Sequence, residues 1–340
     1  MAYITIDRDN LLHNLNLLAL KTASKKRLAI VLKDNAYGHG DTIIARLASS
    51  YGIEEAVCAT VEEAKRVEKF FRRILILRGE PFPHPIFSFA VNSLDDLARC
   101  APDSSVELKF DTGMHRNGIP PDSLSTALEM VKRKSLDLVG IMSHYADADM
   151  CGSEFYRQRM VFREIRSIVS LRGISGVRFH SHNSAALLRC SSFDEDIARV
   201  GIASYGLAQM PSPFGSFDLR PVLSLYAEKV SSIHLHAGAR IGYGGEYRLE
   251  EDATLSTYDI GYGSGWRRGD ASNPYITPNG LRILGRVSMD FITLRSTDET
   301  VCIMDDARVA SKHFGTISYE IVTSLHPAIE RRVVKGNVNA

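Results

Sequence analysis

Lys33 is the residue whose type and setting most directly suggest chemistry. It directly follows Leu28-Ala29-Ile30-Val31-Leu32, so a side chain that strongly prefers water starts from an apolar run and delivers its amine at the run's end. A partly desolvated amine has a lowered pKa and can serve as a Schiff-base nucleophile or as a base in proton transfer. Other polar groups end later apolar runs in the same manner. Asp111 to Arg116 follow Val106 to Asp111, His144 ends Leu136 to His144, Asn183 and Ser184 end Val177 to Asn183, and Arg199 lies on Ile197 to Tyr205. The segment Arg199-Val200-Gly201-Ile202 offers backbone N–H groups beside a glycine, which is a cradle for phosphate, with the Ser184 hydroxyl at the end of the preceding run. Taken singly, each of these reads better as a solvated or structurally hydrogen-bonded residue. Their joint position at the ends of successive runs carries the argument.

The elements that must position them follow from the pattern. Asp7 to Lys25 places Leu11, Leu12, Leu15 and Leu18 on one stripe and predicts an amphipathic helix. Eight runs rich in branched apolar residues follow: 28–33, 56–60, 74–79, 87–92, 106–111, 136–144, 177–183 and 197–205. Helical stretches separate most of them, among them 41–51, 61–70, 123–134 and 153–172. Near-continuous apolar strands alternating with helices imply a parallel sheet buried on both faces, and about eight of them close a (β/α)8 barrel of the TIM type. A doubly wound open sheet lacks support, because no GxGxxG follows the first strand. In a barrel the carboxyl ends of the strands share one rim, which is where the polar residues fall. A lysine amine and a phosphate cradle on that rim suggest pyridoxal phosphate, whose usual partners are a Schiff-base lysine and a group paired to the pyridine nitrogen.

After about residue 211 the helical rhythm fades. Residues 223–235, 254–260, 281–287, 291–294 and 301–304 read as strands, with Asn279-Gly280 as a hairpin turn. The expected organisation is α/β: a barrel over residues 1–216, then a second, mainly β domain over 217–340.

Composition excludes several classes. The 340 residues carry 41 Lys plus Arg against 40 Asp plus Glu, leaving no surplus of basic charge for a polyanion, so nucleic acid is not an expected partner. Hydrophobic residues at 44% and charged residues at 24% argue for an ordinary globular core over disorder. No apolar stretch approaches the ~20 residues of a membrane span, and Met-Ala-Tyr-Ile-Thr-Ile lacks a basic leader, so a cytoplasmic protein is expected. Five scattered cysteines without CxxC or Cys/His spacing read as reduced thiols, with no structural metal.

Val31-Leu32-Lys33-Asp34-Asn35-Ala36-Tyr37-Gly38-His39-Gly40 is similar to the cofactor-attachment block of the alanine racemase family, and the resemblance extends over nearly the whole length. Residues 109–118 (KFDTGMHRNG), 143–149 (SHYADAD), 182–186 (HNSAA), 199–202 (RVGI), 242–244 (GYG), 260–262 (IGY) and 285–290 (GRVSMD) are similar to further family blocks, in the family's order. The ordered set across both domains makes the resemblance specific.

That resemblance implies a homodimeric racemase that interconverts L- and D-alanine for peptidoglycan, using pyridoxal 5'-phosphate. Lys33 would hold the cofactor and act as base on one face, and Tyr243, reaching the partner subunit's site, as base on the other. Tyr37, Ser184 and the backbone at Gly201 and Ile202 would bind the cofactor phosphate, and Arg199 would face the pyridine nitrogen. Arg116 and the Met289 backbone would meet the substrate carboxylate and a cofactor oxygen, and His144 would orient Tyr243. Asp149, Tyr262, Arg268 and Arg286 would line the access corridor, and Lys109 stands where some members carry a carbamylated lysine, an unmodified lysine being the alternative. Tyrosine, with a pKa near ~10, needs cationic neighbours to act as a base, and His144 beside Arg199 would supply them. By composition alone, Gly238 to Tyr247 is simply a glycine-rich turn region.

Two departures stand out. Asp34 replaces the small residue more usual after the lysine, and Leu325-His326-Pro327-Ala328 stands where many members have a tyrosine near the phosphate, a loss that would widen the pocket and is not expected to keep it strict for alanine. The alternatives are therefore a broader serine or lysine racemase, a barrel-type decarboxylase, and a non-catalytic pyridoxal phosphate-binding protein.

Overall fold

The computed structural model describes residues 1–336, so the last four residues of the expected second domain, 337–340, lie outside the described residues. The chain forms two compact units. One comprises Leu12–Ala36 and Asp41–Leu219; the other comprises Met1–Leu11, Tyr37–Gly40 and the residues from Arg220 onward. Strand β1 (Tyr3–Asp7) thus groups with the C-terminal part of the chain, although it precedes every barrel strand.

The first unit is a near-closed barrel of eight parallel strands: β2 (Leu28–Val31), β3 (Glu55–Cys58), β4 (Arg73–Ile76), β5 (Phe87–Val91), β6 (Ser105–Lys109), β7 (Asp137–Met142), β8 (Arg178–His180) and β9 (Ala198–Val200). The hydrogen-bonded order runs β9-β2-β3-β4-β5-β6-β7-β8. Between β8 and β9, Asp196 N–H donates to Phe179 O at 3.0 Å and Arg199 N–H to His182 O at 2.9 Å. Every residue of β2 and β5 is buried, as expected where side chains on one face fill the barrel and those on the other meet helices. The helix Leu124–Arg133 buries Leu124, Ala127, Leu128 and Val131, and Glu154–Leu171 buries Phe155, Phe162, Ile165 and Val169, both at helical spacing. Residues from both pack with Val106, Leu108 and Ile141 of β6 and β7, each fully buried branched or aromatic side chain contributing about 1.5–3 kcal/mol.

One strand ends earlier than its sequence suggests. The run 197–205 is extended only to Val200, after which Ser204 N–H bonds Gly201 O at 2.8 Å and Gly206 N–H bonds Ala203 O at 3.1 Å. The apolar content there reflects burial of a turn.

The second unit is built on a mixed sheet. β10 (Leu223–Leu235) pairs antiparallel with β1, β13 (Ala253–Tyr258) and β15 (Thr300–Met304), β14 (Ile292–Leu294) adds to β13, and β16 (Glu330–Val334) lies parallel to β1. β10 holds partners on both halves of its length because its register shifts at Leu225/Tyr226 and at Lys229/Ser231. Between β10 and β13, β11 (Arg240–Ile241) and β12 (Tyr247–Arg248) form a short antiparallel pair.

Two expectations change here. Residues 281–287 make only isolated bridges, Ile276 to Arg282 and Ile283 to Leu294, although the Asn279-Gly280 turn forms, with Gly280 at φ 78°. The mainly β unit also contains helices Ala307–Phe314 and Ser318–Ser324. The first has its boundaries in the sequence: Asp306 caps Arg308 N–H, and Gly315 ends it at φ 65°. Among the described residues no helix is long and apolar enough to cross a membrane.

Candidate active site

Immediately after β2 the backbone leaves the ordinary regions. Asp34, Asn35, Ala36 and Tyr37 have φ of 53°, 56°, 52° and 51°, four consecutive left-handed L-residues. Each costs about 1–2 kcal/mol, so the turn persists only because its surroundings enforce it. Asp34 N–H donates to Glu63 Oε1 at 2.9 Å while Ala59 N–H holds Glu63 Oε2 at 2.7 Å. Asn35 Oδ1 accepts from Asp41 N–H at 3.0 Å, and Ala36 N–H reaches Leu32 O at 2.8 Å. The half-buried Lys33 side chain emerges from this turn with Nζ 3.8 Å from Asp34 Oδ2. Glu63, 30 residues downstream, gave no signal in the sequence beyond a capping position on its helix.

The other barrel residues gather charge of one sign. Burial and the fields of Arg199, Arg116, Lys109 and Lys33 push the His144 imidazole down to about 3, so it is neutral at physiological pH. The expected cationic support from His144 is therefore absent, and the positive charge comes from the arginines and lysines around it. Burial, with Arg116 and Arg199, likewise lowers the Lys109 amine to about 8, and its Nζ donates to Asn117 Oδ1. Arg116 is exposed on a loop shaped by Asp111, whose Oδ1 accepts the N–H groups of Gly113, Met114 and His115, each at 3.0 Å. Ser184 Oγ accepts from Gly201 N–H at 3.0 Å and from Ala203 N–H at 3.3 Å, so hydroxyl and turn amides converge, whereas Ile202 N–H is not part of that pair.

Arg199 is locked from behind. Its Nη2 donates to Ser143 O at 2.6 Å, and its Nη1 to His180 O at 2.8 Å and to His180 Nδ1 at 2.5 Å. Since guanidinium can only donate, His180 Nδ1 accepts and Nε2 carries the proton directed at Glu107 Oε2, 2.5 Å away. Ser88 Oγ at 2.8 Å and Arg178 Nη2 at 2.9 Å satisfy Glu107 Oε1. Burial would raise the Glu107 carboxyl, but His180 and Arg178 hold it well below the usual carboxylate range. The sequence reading missed Glu107 and His180, each an ordinary polar residue within an apolar run.

The His144 shift has a pH consequence. A base whose folded pKa is depressed binds fewer protons folded than unfolded, so stability falls as pH drops from about 6.5 toward 3. The Glu107 contribution has its own window, complete above about 4.3 and lost as pH falls through the depressed folded value. Between pH 7 and pH 5 the parent chain is expected to lose roughly 2 kcal/mol more than His144→Gln, read from urea midpoints. Equal losses would disprove the neutral state of His144.

The remaining candidates belong to the second unit. Tyr37 is buried, with its ring 5.4 Å from that of Tyr319 at 51°. Tyr319 was not anticipated from sequence; it lies seven residues before the His326 that stands at the absent tyrosine. Gly38, at φ 81°, is required where it stands because a Cβ would collide with the Val322 carbonyl, while Arg331 Nε and Nη2 hold Gly38 O at 3.0 and 2.9 Å. Tyr243 is 66% exposed, in a one-turn 3-10 segment between Gly242 at φ 69° and Gly244 at φ 75°. Arg286 ion-pairs with Glu246, tethering that turn. Met289 is exposed and its carbonyl accepts Gly263 N–H at 2.8 Å, which brings Tyr262 beside it; Arg268 is exposed. In the barrel unit, Asp149 is exposed on the loop after β7.

The donor set fits an anionic, phosphate-bearing aldehyde. One amine emerges from a rigid turn, three further cations surround a neutral imidazole, and a hydroxyl converges with turn amides.

Residues 6–209 match the family described as alanine racemase, N-terminal domain, and residues 222–333 the alanine racemase, C-terminal domain. An alanine racemase of Campylobacter concisus is 38% identical over 340 residues, covering 98% of this chain and 100% of that protein. The crystal structure of an alanine racemase from Bacillus anthracis with bound L-Ala-P superposes with a TM-score of 0.88 at 26% identity, covering 98% of this chain and 95% of that one. A histidine racemase from Leuconostoc mesenteroides shares the fold, with a TM-score of 0.85 at 24% identity over 98% of each chain. The fold alone therefore does not determine which amino acid is turned over.

Proposed function

The chain belongs to the alanine racemase family of pyridoxal phosphate-dependent isomerases, and on that premise we propose that it interconverts L- and D-alanine with Lys33 and Tyr243 as bases on opposite faces of the substrate Cα. The observation that carries the site assignment is the concentration of Lys33, Lys109, Arg116 and Arg199 around a neutral His144 at the barrel's carboxyl rim. When bound, the cofactor supplies an electron sink for the charge left at Cα.

The chain's own residues do the rest. Lys33 Nζ would hold the cofactor and would exchange a proton with one face of Cα. Tyr243 Oη exchanges a proton with the other face, and its exposure in this chain agrees with completion of the site by a second copy in a homodimer. Ser184 Oγ, Tyr37 and the amides at Gly201 and Ile202 hold phosphate oxygens. The Arg199 guanidinium, kept cationic and fixed by His180 and three carbonyls, presents N–H to the ring nitrogen without surrendering a proton. Arg116 and the Met289 backbone receive the carboxylate and a cofactor oxygen, and neutral His144 orients Tyr243 by hydrogen bonding, not by charge. In this reading residues 1–216 are the cofactor barrel and 217–340 the domain supplying the second base. A cytoplasmic role in forming D-alanine for peptidoglycan follows from it.

Incubation with single enantiomers of alanine, serine, lysine and histidine, followed by chiral analysis, tests the reading. Either alanine enantiomer is expected to reach an equal mixture without CO2 release. Serine or lysine turnover within about tenfold of alanine would make the enzyme a broader racemase. Substrate loss with CO2 would make it a decarboxylase, and no turnover a binding protein.

A further inference from the structure

A cluster of ligating side chains lies outside all the residues assigned above. β10 and β13 pair with Ser232 opposite Ser256, His234 opposite Thr254 and Leu235 opposite Ala253. Alternation along an extended chain places Ser232, His234 and His236 on one face, with Ser256, Thr254 and Asp252 across from them. Three polar rungs result: Ser232 Oγ to Ser256 Oγ at 2.8 Å, His234 Nδ1 to Thr254 Oγ1 at 3.3 Å, and His236 Nδ1 to Asp252 Oδ2 at 2.9 Å. Asp252 Oδ1 also accepts Ala237 N–H at 2.8 Å, which holds the carboxylate in place. One ligand atom from each of His234, His236 and Asp252 lies within 4.8 Å of the others, and all three side chains are exposed.

We propose that His234, His236 and Asp252 form a binding site for a divalent transition-metal ion of the zinc type, which pins the neck of residues 237–251. Two imidazoles and one carboxylate suit zinc, nickel or copper over magnesium or calcium. Bonds of about 2.0–2.2 Å to a tetrahedral ion require donors roughly 3.5 Å apart, a closure that exposed rotamers make without disturbing the core. Water completes the coordination. The position gives the site its consequence: His236 and Asp252 flank the last ladder pair, and the chain between them is the excursion formed by β11, the Tyr243 turn and β12. The hairpin bonds Gly238 N–H to Leu249 O at 2.7 Å and Leu249 N–H to Ala239 O at 2.8 Å already draw its two limbs together, so a metal bridge adds restraint to a closed loop at little entropic cost. A hydrogen-bonded His236–Asp252 pair serving structure alone is the rival explanation, and it requires no metal affinity.

The test is zinc titration of untagged, cofactor-loaded protein by calorimetry and equilibrium dialysis, with amide hydrogen exchange over residues 237–251. Saturable binding near one zinc per chain is expected at about micromolar affinity, weakened about tenfold or more by His234→Ala and by His236→Ala. Glu250→Gln, an exposed carboxylate outside the cluster, is expected to leave it unchanged. Zinc should slow exchange in 237–251 of the parent and not of His236→Ala. No saturable binding below about 1 mM, binding that survives both histidine substitutions, or unchanged exchange at saturation would each overturn the proposal. None of these readouts depends on which residues carry out racemisation.

Discussion

A Lys33→Ala protein is expected to lose the visible absorbance of lysine-bound cofactor and to racemise alanine at least about 10^4-fold more slowly than the parent. Removing a positioned proton-transfer group costs up to about 10^4 by itself, or roughly 5.5 kcal/mol of barrier, and here the covalent attachment is lost as well. The remaining cations and the Ser184 cradle still attract the cofactor phosphate, so weak, non-covalent cofactor binding should persist. Exogenous amines should restore part of the rate if the missing group is a base. Retained lysine-bound absorbance in the purified variant would remove Lys33 from the cofactor assignment. Because Glu63 and Asn35 accept backbone N–H groups of the left-handed turn and of the segment after it, the fold should survive the change.

Tyr243→Phe is expected to slow racemisation about 10^2- to 10^4-fold while leaving cofactor absorbance intact. The enantiomers have equal energies, so kcat/KM must fall equally in both directions, and the overall rate cannot show which face was affected. Exchange in D2O can. If Tyr243 serves the L enantiomer and Lys33 the D enantiomer, D-alanine should still lose its Cα proton to solvent through Lys33 and retain its configuration, whereas L-alanine should hold its proton. Proton loss from L-alanine at the parental rate would eliminate Tyr243 as a base. If the exposed tyrosine serves the partner's site, mixing Lys33→Ala with Tyr243→Phe subunits should recover about a quarter of the sites' activity, by random pairing of subunits. No recovery despite proven subunit exchange would place both bases within one chain.

Much of this chain is legible in its sequence. Eight apolar runs alternating with helical stretches predict the barrel because strands buried on both faces have few polar positions. Lys33 stood out because a lysine directly after five apolar residues conflicts with its hydration. The strand expected over 281–287 failed for the converse reason: its apolar residues meet the core from irregular backbone, and composition does not separate the two. Helix Ala307–Phe314 was missed despite a capping Asp306 and a terminal Gly315, because the strands before it dominated the pattern.

By itself the sequence determined the family, the barrel, the cofactor and the residue types at the rim, since each depends on local pattern or on ordered blocks. The tertiary structure alone decided the charge state of those residues. His144 is neutral because its half-buried ring is desolvated and four cations from separate strands and loops act on it, and both effects depend on distances that sequence separation does not encode. Arg199 is oriented through His180 by Glu107, which lies 73 residues before His180 in the chain. The same holds for β1, which begins the chain yet pairs with β10 and β16, because hydrogen-bond partners are chosen by proximity in space.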